Sequence, residues 1–263
     1  MTSNDSSRSS LLLASDEVPP VLDENDGGRS NYLLICDHYG RIAPRALGDL
    51  GVSEAEWERH IAWDIGIASV AHRLCAALDA HLLAQRYSRL VIDCNRPLDA
   101  PSSIPLISEA TTIPGNDGLT HEQRTARAEE IFAPYHRRIA MTLDARARDR
   151  RPTILIALHS FTPVYAGIAR PWHIGTLYHR HTRLPALLRD AMQAEQQLVV
   201  GDNQPYAVSD ATDYSIPVHG EARGLPNTGI EIRQDLIAHE SGQAEWADRL
   251  ARVFNEVEKK ALG

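Results

Sequence analysis

What is scarce in this sequence narrows it first. Only three cysteines occur, Cys36, Cys75 and Cys94, scattered with no CxxC pair and no even-numbered framework. That leaves reduced thiols, and with them a cytoplasmic protein, as the simpler expectation. Positive charge is also short: 27 Lys and Arg stand against 35 Asp and Glu, a net charge of −8 with no basic cluster. Neither nucleic acid nor an anionic membrane is therefore expected as the main partner. No apolar run approaches the roughly 18 residues of a membrane span, and no internal repeat is visible. The N-terminal stretch MTSNDSSRSSLLLASDEVPP holds three consecutive leucines, too short a run for the apolar region of a signal peptide. Ser, Asp, Asn and Gly dominate as far as DENDGGRSN. Residues 1–29 are accordingly expected to be a tail, flexible or packed on the surface, ahead of one domain over 30–263.

What is present is an ordinary globular mixture, 43% apolar and 24% charged over 263 residues, enough for one large α/β domain or two small ones. NYLLICDH (31–38) predicts a strand ending in a polar pair. Residues 53–80 predict a long helix, with Ser53 and Glu56 at capping-box spacing and Trp57, Ile61, Ile65, Ala68, Cys75 and Leu78 at helical spacing. A strand is expected at Ser88 to Cys94, then a long irregular loop over 98–119, of the kind that is often functional. Residues 120–149 predict a helix capped by Thr120 and kinked or interrupted at Pro134. Thr153 to Leu158 is short, apolar and free of alternation, as in a strand buried on both faces, and it closes on His159 and Ser160. A helix over 184–196, a short strand in QLVVGDN, a strand over 229–237 and a C-terminal helix from residue 241 complete the chain. Strands alternating with helices imply a mainly parallel sheet covered on both faces.

Four polar positions stand out against this background. Asp64 falls within the apolar stripe of the 53–80 helix, and an unpartnered buried carboxylate is costly. It either pairs, with His60 one turn earlier as the plain partner, or binds a metal. His38 and His159 occupy equivalent strand ends, at the carboxyl edge where open α/β sheets bind ligands. Two histidines and one carboxylate are the donors of a catalytic zinc that keeps a position open for water. Glu231 lies inside an apolar strand, so it serves either as a desolvated general base or in a salt bridge to Arg233 on the same strand face. DCNRP (93–97) sets Asp93, Asn95 and Arg96 at another strand end, where Arg and Asn suit a small carboxylate or tie down the following loop. Arg89 and Arg170 are further anion-binding candidates. A nucleophilic role for Ser160 is weaker: its side chain and that of His159 point to opposite faces, and no G-x-S-x-G surrounds it.

The segments CDHYGRIAP, LGVSEAEWERHIAWDIG, YSRLVIDCNRP, IPGNDGLT, PYH, LHSFTP, GDNQPY and RGLPNTGIEIRQDLI together resemble the N-formylglutamate amidohydrolase family, in particular its shorter bacterial branch, over about residues 32 to 250. The resemblance implies an α/β/α sandwich on a mixed, mainly parallel sheet like that of zinc exopeptidases. It also implies hydrolysis of an N-formyl or N-acyl amino acid such as N-formylglutamate. LHSFTP is similar to the third-ligand segment of zinc carboxypeptidases, NRP to their Asn-Arg carboxylate clamp, and IEIRQD to the segment of their catalytic glutamate. Zinc muramyl amidases supply the remaining analogy: a strand-end His, an acidic residue on the next helix and a second strand-end His. On this chain that set is His38, Asp64 and His159, with Asp37 the alternative acidic ligand. Where family members usually carry Glu-His-Ala, this chain has Asp37-His38-Tyr39, and Tyr39 in place of a small residue would narrow the site.

The resulting expectation is Zn²⁺ on His38, Asp64 and His159, with Glu231 as general base. Asn95 and Arg96 would hold an α-carboxylate, and Arg89, Arg170 or Arg233 a side-chain carboxylate. His219 would steady the oxyanion. The rivals are another zinc hydrolase of N-acyl amino acids or short peptides, and a ligand-binding homologue without turnover.

Overall fold

Apolar segments of five to eight residues, buried from end to end, form the centre of the sheet: Tyr32–Cys36, His81–Gln85 and Ile154–Phe161. The structure is a computed structural model and describes residues 12–195 and 197–263. In chain order the strands are β1 (Val21–Glu24), β2 (Tyr32–Cys36), β3 (His81–Gln85), β4 (Ile107–Ser108), β5 (Thr111–Thr112), β6 (Ile154–Phe161), β7 (Val164–Tyr165), β8 (Ile168–Ala169), β9 (Ile174–Leu177), β10 (Val200–Asp202) and β11 (Asn227–Arg233). The α-helices are α1 (Glu54–Trp57), α2 (Ile67–Leu78), α3 (His121–Arg127), α4 (Ala133–Arg148), α5 (Arg183–Gln193) and α6 (Glu240–Leu262).

Seven strands form one sheet in the order β1-β3-β2-β6-β11-β9-β10, while β4–β5 and β7–β8 are separate hairpins. The central β3, β2, β6 and β11 are parallel, β1 pairs antiparallel with β3, and β9 pairs antiparallel with β11 and parallel with β10. The fold is α/β on a mixed, mostly parallel sheet. Successive side chains leave opposite faces of a strand. Leu34, Leu82, Ile156, Leu158 and Ile230 therefore pack with α2, α5 and α6. Leu33, Ile35, Leu83, Leu155 and Ala157 pack on the other face with Phe132, Tyr135 and Ile139. Each such Leu or Ile contributes about 1.5–3 kcal/mol by leaving water.

Several expectations change. Residues 12–29 are no loose tail: Val21–Glu24 pairs antiparallel with β3, and Leu12 is buried, its N–H and that of Leu13 each donating to Glu130 at 2.8 Å. The edge of β3 offers unpaired backbone groups that this segment satisfies. Residues 1–11 lie outside the described part. The strand expected at Ser88 to Cys94 is instead His81–Gln85. Residues 88–94 are buried turns, tied by Ser88 Oγ to the Ala62 carbonyl and by the Asp93 N–H to the Ser103 carbonyl, both 2.7 Å. The helix expected over 53–80 breaks into α1 and α2, and Ser53 makes no side-chain cap. α1 stops at Trp57, turns follow, and α2 starts only after Gly66, whose φ is +80° and where a Cβ would lie 2.1 Å from the Ile237 carbonyl oxygen.

Other expectations hold. Thr120 caps α3 in a capping box with Gln123. A π turn over Ala128–Phe132 interrupts the helix just ahead of Pro134. β6 runs on to Phe161 because β11 stays in register with it, Arg233 opposite Phe161. The short β9 was not anticipated, and α5 ends at Gln193; residue 196, the expected helix end, lies outside the described part. The three cysteines are free and buried. No helix among the described residues is long and apolar enough to cross a membrane.

Candidate active site and metal centre

Parallel pairing puts the carboxyl ends of β2, β6 and β11 on one edge of the sheet. From β2 the chain passes to β3 on one side and later returns as β6 on the other, so a crevice opens between β2 and β6. His38 follows β2 by two residues and His159 lies on β6. Glu231 on β11 is the register partner of His159, so the two side chains leave the same face side by side. Ser160 leaves the opposite face and donates to the Ile65 carbonyl at 2.9 Å, away from the cavity centre. Asp64 occupies the turn before α2, where its N–H donates to the His38 carbonyl at 2.9 Å. Its burial comes from this turn and not from a helical stripe. His60 is not its partner; it lies 3.3 Å from Glu109.

The three side chains meet. Ligand atoms of His38, Asp64 and His159 all lie within 4.8 Å of one another, and all three residues are buried. Asp64 Oδ2 is 2.9 Å from His159 Nδ1 and 3.5 Å from His38 Nδ1. The far nitrogens have carboxylates of their own. His38 Nε2 is 2.7 Å from Asp93 Oδ1, and His159 Nε2 is 3.2 Å from Asp37 Oδ2. Asp93 is fixed in turn by the Arg89 guanidinium at 2.7 and 3.1 Å, and Asp37 by the Ser215 hydroxyl at 2.6 Å. Each ring thus has one nitrogen oriented from behind and the other turned toward Asp64, an arrangement that fixes tautomer and direction in metal sites. Asp64 shares the centre; Asp37 stands behind His159.

Electrostatics favour a cation here. Burial alone would raise the Asp64 carboxyl, but His38 and His159 beside it hold it well below the usual range. Burial likewise opposes ionisation of Asp37, and His159 and Ser215 outweigh it, bringing that carboxyl to about 2. Burial lowers and the surrounding carboxylates raise the affinity of His159 for a proton, with a net increase well above its ordinary value. Three buried carboxylates against one guanidinium leave two negative charges in excess while both rings are neutral. Two ring protons or one dication balances them. His38 Nδ1, buried and without a hydrogen-bond partner, completes a nitrogen, nitrogen and oxygen donor set that fits zinc. Burial pushes the Glu231 carboxyl up to about 7, and its Oε2 has no partner.

These groups line a cavity of about 420 Å³ together with Arg89, Arg96, Phe161, Tyr165 and Tyr206. Arg89 is engaged with Asp93 and Asp64, and Arg96 donates to the Thr212 carbonyl at 2.6 Å. Four candidates, Asn95, Arg170, Arg233 and His219, are not among the lining residues. Asn95 spends its amide on Asp213, Tyr214 and Ser215. Arg233 pairs with Asp235 at 2.8 Å and not with Glu231. His219 stacks on His136, 3.0 Å between ring nitrogens, and burial with the neighbouring ring brings it to about 3, so it is a neutral imidazole set outside the cavity lining. Arg170 sits behind the rings of Tyr165 and Tyr206. Tyr165, Tyr206 and Ser215 were not anticipated. The one signal for Tyr206 was the GDNQPY segment, whose loop Gly175 admits: a Cβ there would meet the Gln204 carbonyl oxygen at 1.8 Å.

No curated protein matches the chain in sequence. Among solved structures, the Atu2144 gene product of Agrobacterium tumefaciens superposes with a TM-score of 0.91 at 36% identity, over 95% of this chain and 98% of that one. The N-formylglutamate amidohydrolase of Ralstonia eutropha JMP134 shares the fold at a TM-score of 0.67 and 18% identity, over 93% and 98% of the two chains. The sequence pattern of one family, the N-formylglutamate amidohydrolases, runs through residues 30–238. A match over so much of the chain makes this protein a member of the N-formylglutamate amidohydrolase family.

Proposed function

We propose that the chain is a zinc-dependent hydrolase that cleaves the amide bond of an N-formyl or N-acyl amino acid, N-formylglutamate being the model substrate. The observation that carries this is the convergence of His38 Nδ1, Asp64 and His159 Nδ1 beside the unpartnered Glu231 carboxyl, within one cavity. His38, Asp64 and His159 would hold the ion, which when bound supplies Lewis acidity toward the acyl carbonyl and makes water a nucleophile near neutral pH. Asp93 and Asp37 keep the two rings in the tautomer that leaves each Nδ1 free to ligate. Glu231 Oε2 takes a proton from the attacking water and delivers it to the leaving nitrogen as the C–N bond breaks. Arg96, at the cavity wall and no closer than 3.9 Å to Asp213, would hold an α-carboxylate. Arg89 acts through Asp93, not on substrate. The small-molecule substrate and the three free thiols fit a cytoplasmic role in amino-acid metabolism.

Metal content and turnover together test this. Wild type should bind about one zinc per chain and release formate from N-formylglutamate, and Asp64→Ala should lose both. Stoichiometric metal without hydrolysis of any formyl, acetyl or dipeptide compound would turn the reading toward a binding homologue. No metal taken up at all would overturn it.

A further inference from the structure

Amide hydrolysis turns the carbonyl oxygen into an anion as the acyl carbon becomes tetrahedral, and a donor held at that oxygen supplies a large share of the rate. His219 lies outside the cavity, and several donors inside it are already engaged. Arg89 is held by Asp93 and Asp64, and Arg96 donates to the Thr212 carbonyl. Ser160 donates to the Ile65 carbonyl and Thr162 to the Val164 carbonyl, both at 2.9 Å.

Sheet register points to a different group. Glu231 stands between two register partners, His159 on β6 and Gly175 on β9. Directly paired residues share a face of the sheet, so beside the side chains of His159 and Glu231 the third place in the row is bare. The Gln204 backbone fills it: a Cβ on Gly175 would lie 1.8 Å from the Gln204 carbonyl oxygen. Asn203 pins this loop, its N–H donating to the Thr176 carbonyl at 3.0 Å and its Oδ1 accepting from the Tyr178 N–H at 2.8 Å. Tyr206, two residues beyond Gln204, is thereby carried to the Glu231 side of the cavity, which it lines with 45% of the residue exposed.

The Tyr206 ring is held from behind by Arg170, whose guanidinium carbon is 4.8 Å from the ring centre. Arginine has donors only, so it cannot take the phenol hydrogen, and its positive charge polarises the O–H bond. Burial and the Glu231 carboxylate raise the affinity of the phenol for its proton more than Arg170 lowers it, so the hydroxyl is intact at neutral pH.

We propose that Tyr206 is a further catalytic residue, whose phenol O–H donates to the acyl oxygen of the substrate and binds it most strongly once that oxygen is an anion. This rests on the amidohydrolase function proposed above and supplies the oxyanion donor that His219 does not. As the water oxygen bonds to the acyl carbon, the carbonyl π pair moves onto the acyl oxygen facing Tyr206, and the water proton goes to Glu231. When the C–N bond breaks, that pair returns to the carbonyl and the leaving nitrogen takes the proton from Glu231. Tyr206 keeps its own proton throughout.

Tyr206→Phe keeps the ring on Arg170 and removes the donor. Its kcat for N-formyl-L-glutamate should fall about 100-fold with KM within about 3-fold of wild type, the pattern of an interaction made only in the transition state. Calorimetry separates this from a structural effect. The phosphonamidate whose tetrahedral phosphorus replaces the acyl carbon should bind the zinc-loaded variant about 100-fold more weakly than wild type. L-glutamate, which has no acyl oxygen, should bind both proteins alike. Both ligands are measured on one preparation, so a fraction of unfolded protein does not alter the comparison. Unchanged kcat, a KM that rises alone, or equal weakening of both ligands overturns the role while leaving the amidohydrolase function intact. A wild type that hydrolyses neither N-formyl- nor N-acetyl-L-glutamate overturns that function, and the role of Tyr206 with it.

Discussion

Asp64 and Glu231 line this cavity while Asp37 and Asp93 stand behind its histidines, and position alone gives these carboxylates different work. Glu231 has an unpartnered oxygen and a carboxyl that burial pushes up to about 7, so near neutrality it passes easily between its two forms. Glu231→Gln should lower kcat by about 10²- to 10⁴-fold while the protein keeps its metal, as steady-state kinetics and metal analysis would show. Since Glu231 must be ionised to accept a proton, kcat/KM should rise with pH through the acid limb. That limb should sit at or below about 7, because a neighbouring dication favours the carboxylate. A Glu231→Gln profile that retained the same limb would assign it to another group. Asp93 works through His38 Nε2, 2.7 Å away. Asp93→Asn should weaken zinc about 10- to 100-fold in a chelator competition; unchanged affinity would reduce Asp93 to a counter-ion for Arg89.

At the scale of elements, the site depends on where helix and strand stop. α2 begins only after Gly66, whose φ of +80° and contact with Ile237 leave no room for a side chain. Gly66→Ala forces either a strained backbone or a shift of the 64–66 turn that carries Asp64. A loss of about 1–3 kcal/mol of stability is expected, together with weaker metal binding, read from denaturant unfolding and zinc titration of the same variant. Full stability with normal zinc affinity would show that the turn tolerates a Cβ. The Ser88 to Cys94 region teaches a related lesson. Its apolar residues resemble those of His81–Gln85, and both runs are buried, but only the first lies in register with β2, Leu33 opposite His81. The second run is then free to turn and to present Arg89 and Asp93 to the centre.

For the molecule as a whole, the buried histidine pair beneath the site ties stability to pH. Burial lowers His136 to about 4, and burial with the charge of His136 lowers His219 to about 3, from an ordinary value of 6.5. Between 6.5 and those values the unfolded chain binds more protons than the folded one, so stability from these groups is lost as pH falls through that window. The effect of His136 alone is on the order of 3 kcal/mol at full development. His38 and His159 shift the other way in the metal-free protein, so the pair is best isolated by difference. The stability advantage of wild type over His219→Leu should narrow between pH 7 and pH 5 in urea titrations, and an advantage that stays constant would refute the linkage.

The sequence by itself determined the alternation of strands and helices, the sheet class, and the residue types of the centre. His38, Asp64, His159 and Glu231 were legible because a polar side chain amid apolar neighbours is costly and therefore conspicuous. The family was legible because eight short segments agreed. Tertiary structure alone decided the rest. That Asp64 sits in a turn, that Asp37 backs His159, that Asn95 spends its amide on Asp213, and that His219 stacks on His136 are facts of pairing between residues far apart in the chain. Hydrogen bonds and ion pairs of that kind depend on sheet register and loop approach, which local composition does not encode.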